Sequence, residues 1–130
     1  MVTARTLPSP YQVEYQAGPH TGRADTVKDG RGGGTAPRPH ELLEAALAAC
    51  ITMTARMALD ELGLPGVSVT ARVDLDRQET ATRFRYRLAF DPAPPAGVRE
   101  TVLRRVERSP VRRTLSRPLS FVAEGALAGD

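Results

Sequence analysis

Cysteine is nearly missing from this 130-residue chain: Cys50 is the only one. A single thiol excludes an internal disulfide and the cross-linked frameworks of small secreted domains, so a reducing cytoplasm is the expected setting. No basic segment followed by an apolar block opens the sequence, so no secretory signal is expected. Histidine is scarce as well. His20, His40 and Cys50 make no zinc-ligand spacing, and neither a metal nor any other cofactor is expected. Tryptophan is absent and aromatic residues make up 5% of the chain, which leaves little for stacking on bases. Long apolar runs are missing too. The longest, Ala45 to Ile51, lies between Glu44 and Arg56 and is too short to span a bilayer, so no membrane contact is expected. Lysine is reduced to Lys28, which leaves 17 of the 18 basic residues as arginine. The net charge is +3, but the 15 acidic residues are interspersed with the basic ones. Arg83, Arg85 and Arg87, and the group Arg104, Arg105, Arg108, Arg112, Arg113 and Arg117, read as solvated faces. No nucleic-acid partner is expected.

What is present suits a globular protein. With 41% hydrophobic and 25% charged residues, the chain is expected to form a single domain over residues 1–130. Residues 1–10 carry two prolines and read as a loose arm. Tyr11, Val13 and Tyr15 alternate with polar residues as in a half-buried strand. Gly18-Pro19 and Gly22 mark a turn, and Ala24 to Lys28 reads as a second strand ended by Asp29-Gly30. The glycines at 30, 32, 33 and 34 lack a following Gly-Lys-Ser/Thr and read as a connector rather than a phosphate loop. A helix starts at Pro39, with Glu41 suited to its first turn, and runs to Leu62-Gly63-Leu64-Pro65, where Gly63 suits a left-handed cap. Apolar residues cover nearly all its faces from Leu42 to Leu59, which predicts a central, buried helix. Val67 to Leu75 and Phe84 to Phe90 alternate as two strands of a hairpin with one wet face. A second helix is expected from Val98, a short one from Ser109-Pro110 to Leu115, and a last strand over Pro118–Ala123. The order predicts an α+β domain with antiparallel sheet.

Cys50 admits two readings. Free cysteine is commonly a small buried hydrophobe. It also serves as a nucleophile when its thiolate is stabilised, and burial alone works against that, so a reactive Cys50 needs a cation or hydrogen-bond donors. Arg23, held by Glu41, is the first candidate and Arg56 the second. His40 lies about 15 Å from Cys50 along the helix axis and reads as a surface residue at the helix start. His20 falls in the first turn. Met53 and Met57 read as core or, where a pocket exists, as its apolar wall. Ser109 before Pro110 reads as a helix N-cap.

Two frames carry a resemblance. Pro39-His40-Glu41-Leu42-Leu43-Glu44-Ala45-Ala46-Leu47-Ala48-Ala49-Cys50 resembles the cysteine helix of the OsmC/Ohr superfamily. Ser109-Pro110-Val111-Arg112-Arg113-Thr114-Leu115 resembles that family's second motif, Cys-Pro-Val-x-x-Thr-Leu. The resemblance covers about residues 11–125. It implies an intertwined homodimer in which sheets wrap central helices and active sites lie at the subunit interface. In the peroxide-reducing members the first cysteine attacks a hydroperoxide, the second resolves the sulfenic acid as a disulfide, and a dithiol, often lipoyl-linked, reduces it. Here Ser109 stands at the resolving position. His40 stands where the Ohr-type members have a glutamate, with Glu41 next to it, which places the chain nearer the general OsmC-like branch. The resemblance implies a cytoplasmic oxidative-stress, antioxidant protein with Cys50, Glu41 and Arg23 as site residues. Its expected activity is thiol-dependent reduction of organic hydroperoxides, with an external thiol as the resolving partner. The alternative is a non-catalytic stress-associated or small-ligand-binding protein on the same scaffold.

Overall fold

The computed structural model describes residues 1–127. In chain order it has β1 (Val2–Thr6), β2 (Val13–Ala17), β3 (His20–Ala24), α1 (Pro39–Glu61), β4 (Ser68–Arg77), β5 (Thr82–Asp91), α2 (Ala96–Val106) and α3 (Pro110–Ser116). The fold is α+β, with one sheet in the order β1-β2-β3 and a second formed by β4 and β5. Two compact units are formed: Met1–Ala49 with Thr70–Ala89, and Cys50–Val69 with the chain from Phe90 onward.

In the first unit, β1 pairs antiparallel with β2 from Val2↔Ala17 to Thr6↔Val13. The expected loose arm is therefore corrected to a strand. Val2, Thr3 and Thr6 are β-branched and suit it, although all five residues stay exposed. β2 pairs with β3 from Val13↔Ala24 to Ala17↔His20. Gly18-Pro19 is thus the hairpin loop, with Gly18 at φ +59°. This moves the second strand from the expected Ala24–Lys28 to His20–Ala24. Asp29 and Gly30, at φ +54° and +74°, instead close a tight turn bridged by Lys28 and Arg31.

The glycine-rich connector is organised by Asp25, which is 2% exposed. Its carboxylate accepts the Thr35 N–H at 3.0 Å, the Thr35 hydroxyl at 2.9 Å and the Thr26 N–H at 2.8 Å. The Thr35 amide, ahead of the opposing effect of desolvation, holds the Asp25 carboxyl below its ordinary range. A carboxyl depressed on folding contributes stability that is fully present above its unfolded value of 3.8 and is lost as pH falls through the lower folded value. Asp25→Asn is therefore expected to speed proteolysis within residues 26–36 at neutral pH. The difference from the parent chain should shrink as pH falls below that of ordinary aspartate. Equal cleavage rates at pH 7 would show that the carboxylate does not hold the loop.

In β4 and β5 the alternation appears as expected. Val69, Ala71, Val73, Leu75, Phe84, Tyr86, Leu88 and Phe90 are half-buried, while Arg72, Asp74, Arg83, Arg85 and Arg87 are exposed. Arg85 pairs with Asp76 at 3.0 Å on the wet face.

In the second unit, α1 ends as its sequence predicts. Gly63 takes φ +76°, its N–H donates to the Asp60 carbonyl and Leu64 N–H donates to the Leu59 carbonyl, the paired bonds of a Schellman cap. The buried residues of this unit are Ile51, Ala55, Ala58, Leu59, Val67, Val102, Val106 and Ser109. A bidentate contact from Arg105 to Glu61, at 2.7 and 3.3 Å, ties α2 to the end of α1. The expected strand at Pro118–Ala123 is not formed. This stretch is irregular and exposed, with Phe121 at 94% and Val122 at 78% exposure, because its backbone has no neighbouring strand to pair with among the described residues.

In the single chain α1 is buried on one side only, where its sequence predicts burial on nearly all faces. At 100° per residue, Leu47, Ile51, Ala55 and Ala58 share the buried face. Leu43, Ala46, Cys50, Met53 and Met57 share another, where Leu43, Met53 and Met57 are exposed. By length and composition alone α1 is apolar enough to cross a bilayer, a test that core helices of soluble proteins also pass.

Candidate functional site

Cys50 sits on the exposed apolar stripe of α1, and its side chain is half-buried. Its backbone carbonyl accepts a hydrogen bond from the Thr54 hydroxyl at 2.9 Å. The thiol itself receives a hydrogen bond: Val111 N–H donates to Sγ at 3.4 Å. Val111 is the second residue of α3, where backbone N–H groups have no partner inside the helix. The second motif thus reaches the cysteine through a main-chain donor that no side-chain pattern announces.

Ser109 is the residue before α3 and is completely buried. Its backbone takes the extended conformation of an N-cap, φ −60° and ψ 145°, and its carbonyl accepts the Arg113 N–H at 2.9 Å. The side chain does not cap. Its hydroxyl makes no hydrogen bond, to helix or to sulfur. The expected side-chain cap is corrected accordingly, and the reason is visible in the competition for donors. The Val111 amide, one of those an N-cap oxygen would take, is given to Cys50. An orphaned buried hydroxyl costs about 1–3 kcal/mol. Ser109→Ala is therefore expected to leave the midpoint of thermal unfolding unchanged or raise it. A fall of several degrees would show that the hydroxyl holds structure.

The remaining candidates separate. Met53 and Met57 flank the cysteine stripe at 60% and 58% exposure, so in the single chain they are not core. Arg56 is committed to Asp60 at 2.8 Å, one helical turn away. Glu41 closes the start of α1: its Oε1 accepts the Arg38 N–H at 3.0 Å, the reach-back half of a capping box. It makes no bond to Arg23, which lies exposed on β3 opposite Glu14, with its guanidinium free of ion pairs among the described residues. His40 Nε2 lies 3.2 Å from Arg77 Nη1. Arginine has no acceptor, so His40 is the acceptor there. His20 is exposed at the first residue of β3. Two contacts of the first unit had no sequence signal: this Arg77 contact and the Leu75 N–H donated to Glu44 at 3.3 Å. Both border a cleft of about 680 Å³ at the start of α1, with Thr26, Arg38 and Glu41. Among the described residues no group of three or more His, Cys, Asp or Glu side chains is placed to hold a metal ion.

The α+β fold is that of OsmC-type proteins of known structure, among them the following three. A candidate osmotic stress induced and detoxification response protein from Psychrobacter arcticus 273-4 matches with a TM-score of 0.72 at 18% identity, covering 88% of each chain. An organic hydroperoxide resistance protein OsmC from Legionella pneumophila, described also as a predicted redox protein and regulator of sulfide bond formation, matches with a TM-score of 0.60 at 20% identity, covering 88% of this chain and 87% of that one. An OsmC like protein from Mycoplasma pneumoniae gives a TM-score of 0.66 at 15% identity, covering 89% and 86%. No curated protein matches the sequence. The family model for OsmC-like proteins matches residues 32–124, and the chain belongs to that family.

Proposed function

We propose that this chain is a one-cysteine, thiol-dependent reductase of organic hydroperoxides, acting as a homodimer of single-domain subunits in the cytoplasm. Membership of the OsmC-like family supports a stress-related role. The observation that carries the reaction is the Val111 N–H on Cys50 Sγ. The thiolate is the nucleophile, and a main-chain N–H is at hydrogen-bond distance from this sulfur. In the first step Cys50 attacks the distal oxygen of the hydroperoxide. The S–O bond forms, the O–O bond breaks, and the alkoxide leaves and is protonated to the alcohol. Sulfur is oxidised by two electrons and the peroxide is reduced. An external thiol then attacks the sulfenic sulfur, water leaves, and a second thiol reduces the mixed disulfide. Met53 and Met57 supply apolar, polarizable surface suited to an alkyl group beside the cysteine. Of the candidate cations, Arg56 is committed to Asp60. Arg23, from either subunit, remains the cation proposed to activate the Cys50 thiol, with Glu41 as the carboxylate proposed to hold it.

The test is consumption of cumene hydroperoxide in the presence of a small thiol. The protein is expected to turn it over, and Cys50→Ser to reduce the rate to that of the thiol alone. Without thiol, excess peroxide is expected to carry Cys50 to sulfinic and sulfonic acid, read by mass spectrometry. If Cys50 stays unmodified while the fold is intact, the protein is a binding member of the family and the reaction is not its own.

A further inference from the structure

Ser109 is the buried polar side chain that the reaction above leaves unused. It is fully excluded from solvent and its hydroxyl has no partner. It directly precedes the helix whose second amide reaches the sulfur. An N-cap side chain shares its space with the second and third amides of the helix it precedes. At α3 the second amide, Val111 N–H, is turned to Cys50 Sγ at 3.4 Å. Sulfur therefore occupies the acceptor position that the Ser109 oxygen would fill in an ordinary cap. The hydroxyl is left with a proton to donate and no hydrogen-bond partner among the described residues.

Oxidation of Cys50 changes that. The sulfenic acid carries one oxygen beyond sulfur, an acceptor that the reduced side chain lacks. A serine hydroxyl turns about its own bond to present its proton to an acceptor. We propose that Ser109 is the hydrogen-bond donor to the oxygen that Cys50 receives, and that it assists departure of this oxygen when an external thiol resolves the sulfenic acid. The inference rests on the peroxidase reading and adds a role to it. As the thiolate attacks, the S–S bond forms and the S–O bond breaks. The oxygen gathers negative charge until it is protonated to water, and the Ser109 O–H stabilises that charge. Serine at this position thus does not form a bond to sulfur, as a cysteine would. It prepares the sulfenic acid for a thiol from outside.

The role separates the two half-reactions, because the hydroxyl makes no bond to the reduced thiol. Each half-reaction is measured alone on the full chain: oxidation of reduced protein by cumene hydroperoxide, then reaction of the preformed sulfenic acid with dithiothreitol, both followed by quenched mass spectrometry. In Ser109→Ala, oxidation is expected to proceed within about twofold of the parent rate. Resolution is expected to slow about tenfold, the scale of one hydrogen bond to a developing charge. Ser109→Thr keeps the hydroxyl and is expected to restore resolution to within about threefold. Unchanged resolution in Ser109→Ala overturns the proposal. So does an equal slowing of both steps, which marks a packing effect. Failure of the parent protein to form a sulfenic acid overturns the peroxidase reading, and this inference with it.

Discussion

Ser109→Cys is expected to close a disulfide to Cys50 within one turnover of hydroperoxide. The Val111 amide lies 3.4 Å from Cys50 Sγ, and residue 109 is two positions earlier in the chain. Two residues span about 7 Å at most, and the cross-link requires the Cα atoms of 50 and 109 to lie within about 7 Å or local backbone to move. The sulfenic acid at Cys50 would then be attacked from within, at an effective concentration no free thiol matches. Over-oxidation to sulfinic acid should be suppressed, and a dithiol should become a better reductant than a monothiol. The cost to the fold is expected to be small. The Ser109 hydroxyl makes no capping bond that could be lost, and sulfur tolerates burial without a partner. A non-reducing peptide map shows whether residues 50 and 109 are joined. If Cys50 is oxidised in the variant and no cross-link forms, the two positions are not partners, and a binding role on the OsmC-like scaffold becomes the better account.

The same two motifs show what a sequence displays and what it conceals. The ends of α1 are legible because they are local: Pro39 fits only a first turn, and Gly63 alone takes the +76° that a Schellman cap needs. The two strands after it are legible because a half-buried hairpin writes its period directly into Val69, Ala71 and Val73 and into Arg83, Arg85 and Arg87. Ser109-Pro110 marks the start of α3 correctly. What failed depends on partners distant in sequence. Val2–Thr6 looks like an arm until β2 offers it a register. Pro118–Ala123 has strand composition but no described neighbour to pair with. Glu41 reads equally as a site carboxylate and as a capping-box residue, and its bond to the Arg38 amide is the second of these made visible. Within the site, the cysteine and the serine were visible, but the group that touches sulfur is a main-chain amide. Every residue except proline carries one, so no side-chain pattern could have distinguished Val111.

Charging the stripe that holds Cys50 is expected to disrupt the protein only if a second copy covers it. Met53 and Met57 share that face of α1 with Cys50 and are 60% and 58% exposed in the single chain. Leu43, at 44%, falls on the same face nearer the helix start. An exposed apolar stripe along a helix of 23 residues is what an obligate interface looks like when one partner is removed. The unpaired backbone of 118–123, with Phe121 and Val122 exposed, offers the same partner a further edge. For the isolated chain, Met53→Asp with Met57→Asp exchanges two exposed residues and should change stability by about 0.5 kcal/mol or less at each site. Across a dimer interface the same pair buries unpaired carboxylates, at several kcal/mol. The parent protein is therefore expected to sediment as a dimer at micromolar concentration. The double aspartate variant should be monomeric or unfolded, and the double leucine variant should remain dimeric, since leucine keeps the volume and the apolar surface. A parent protein that sediments as a folded monomer would remove the second copy from the site. Cys50 would then have to work half-exposed on an open helix face, where the Val111 amide is its one hydrogen-bond donor among the described residues and a hydroperoxide has no second wall to rest against.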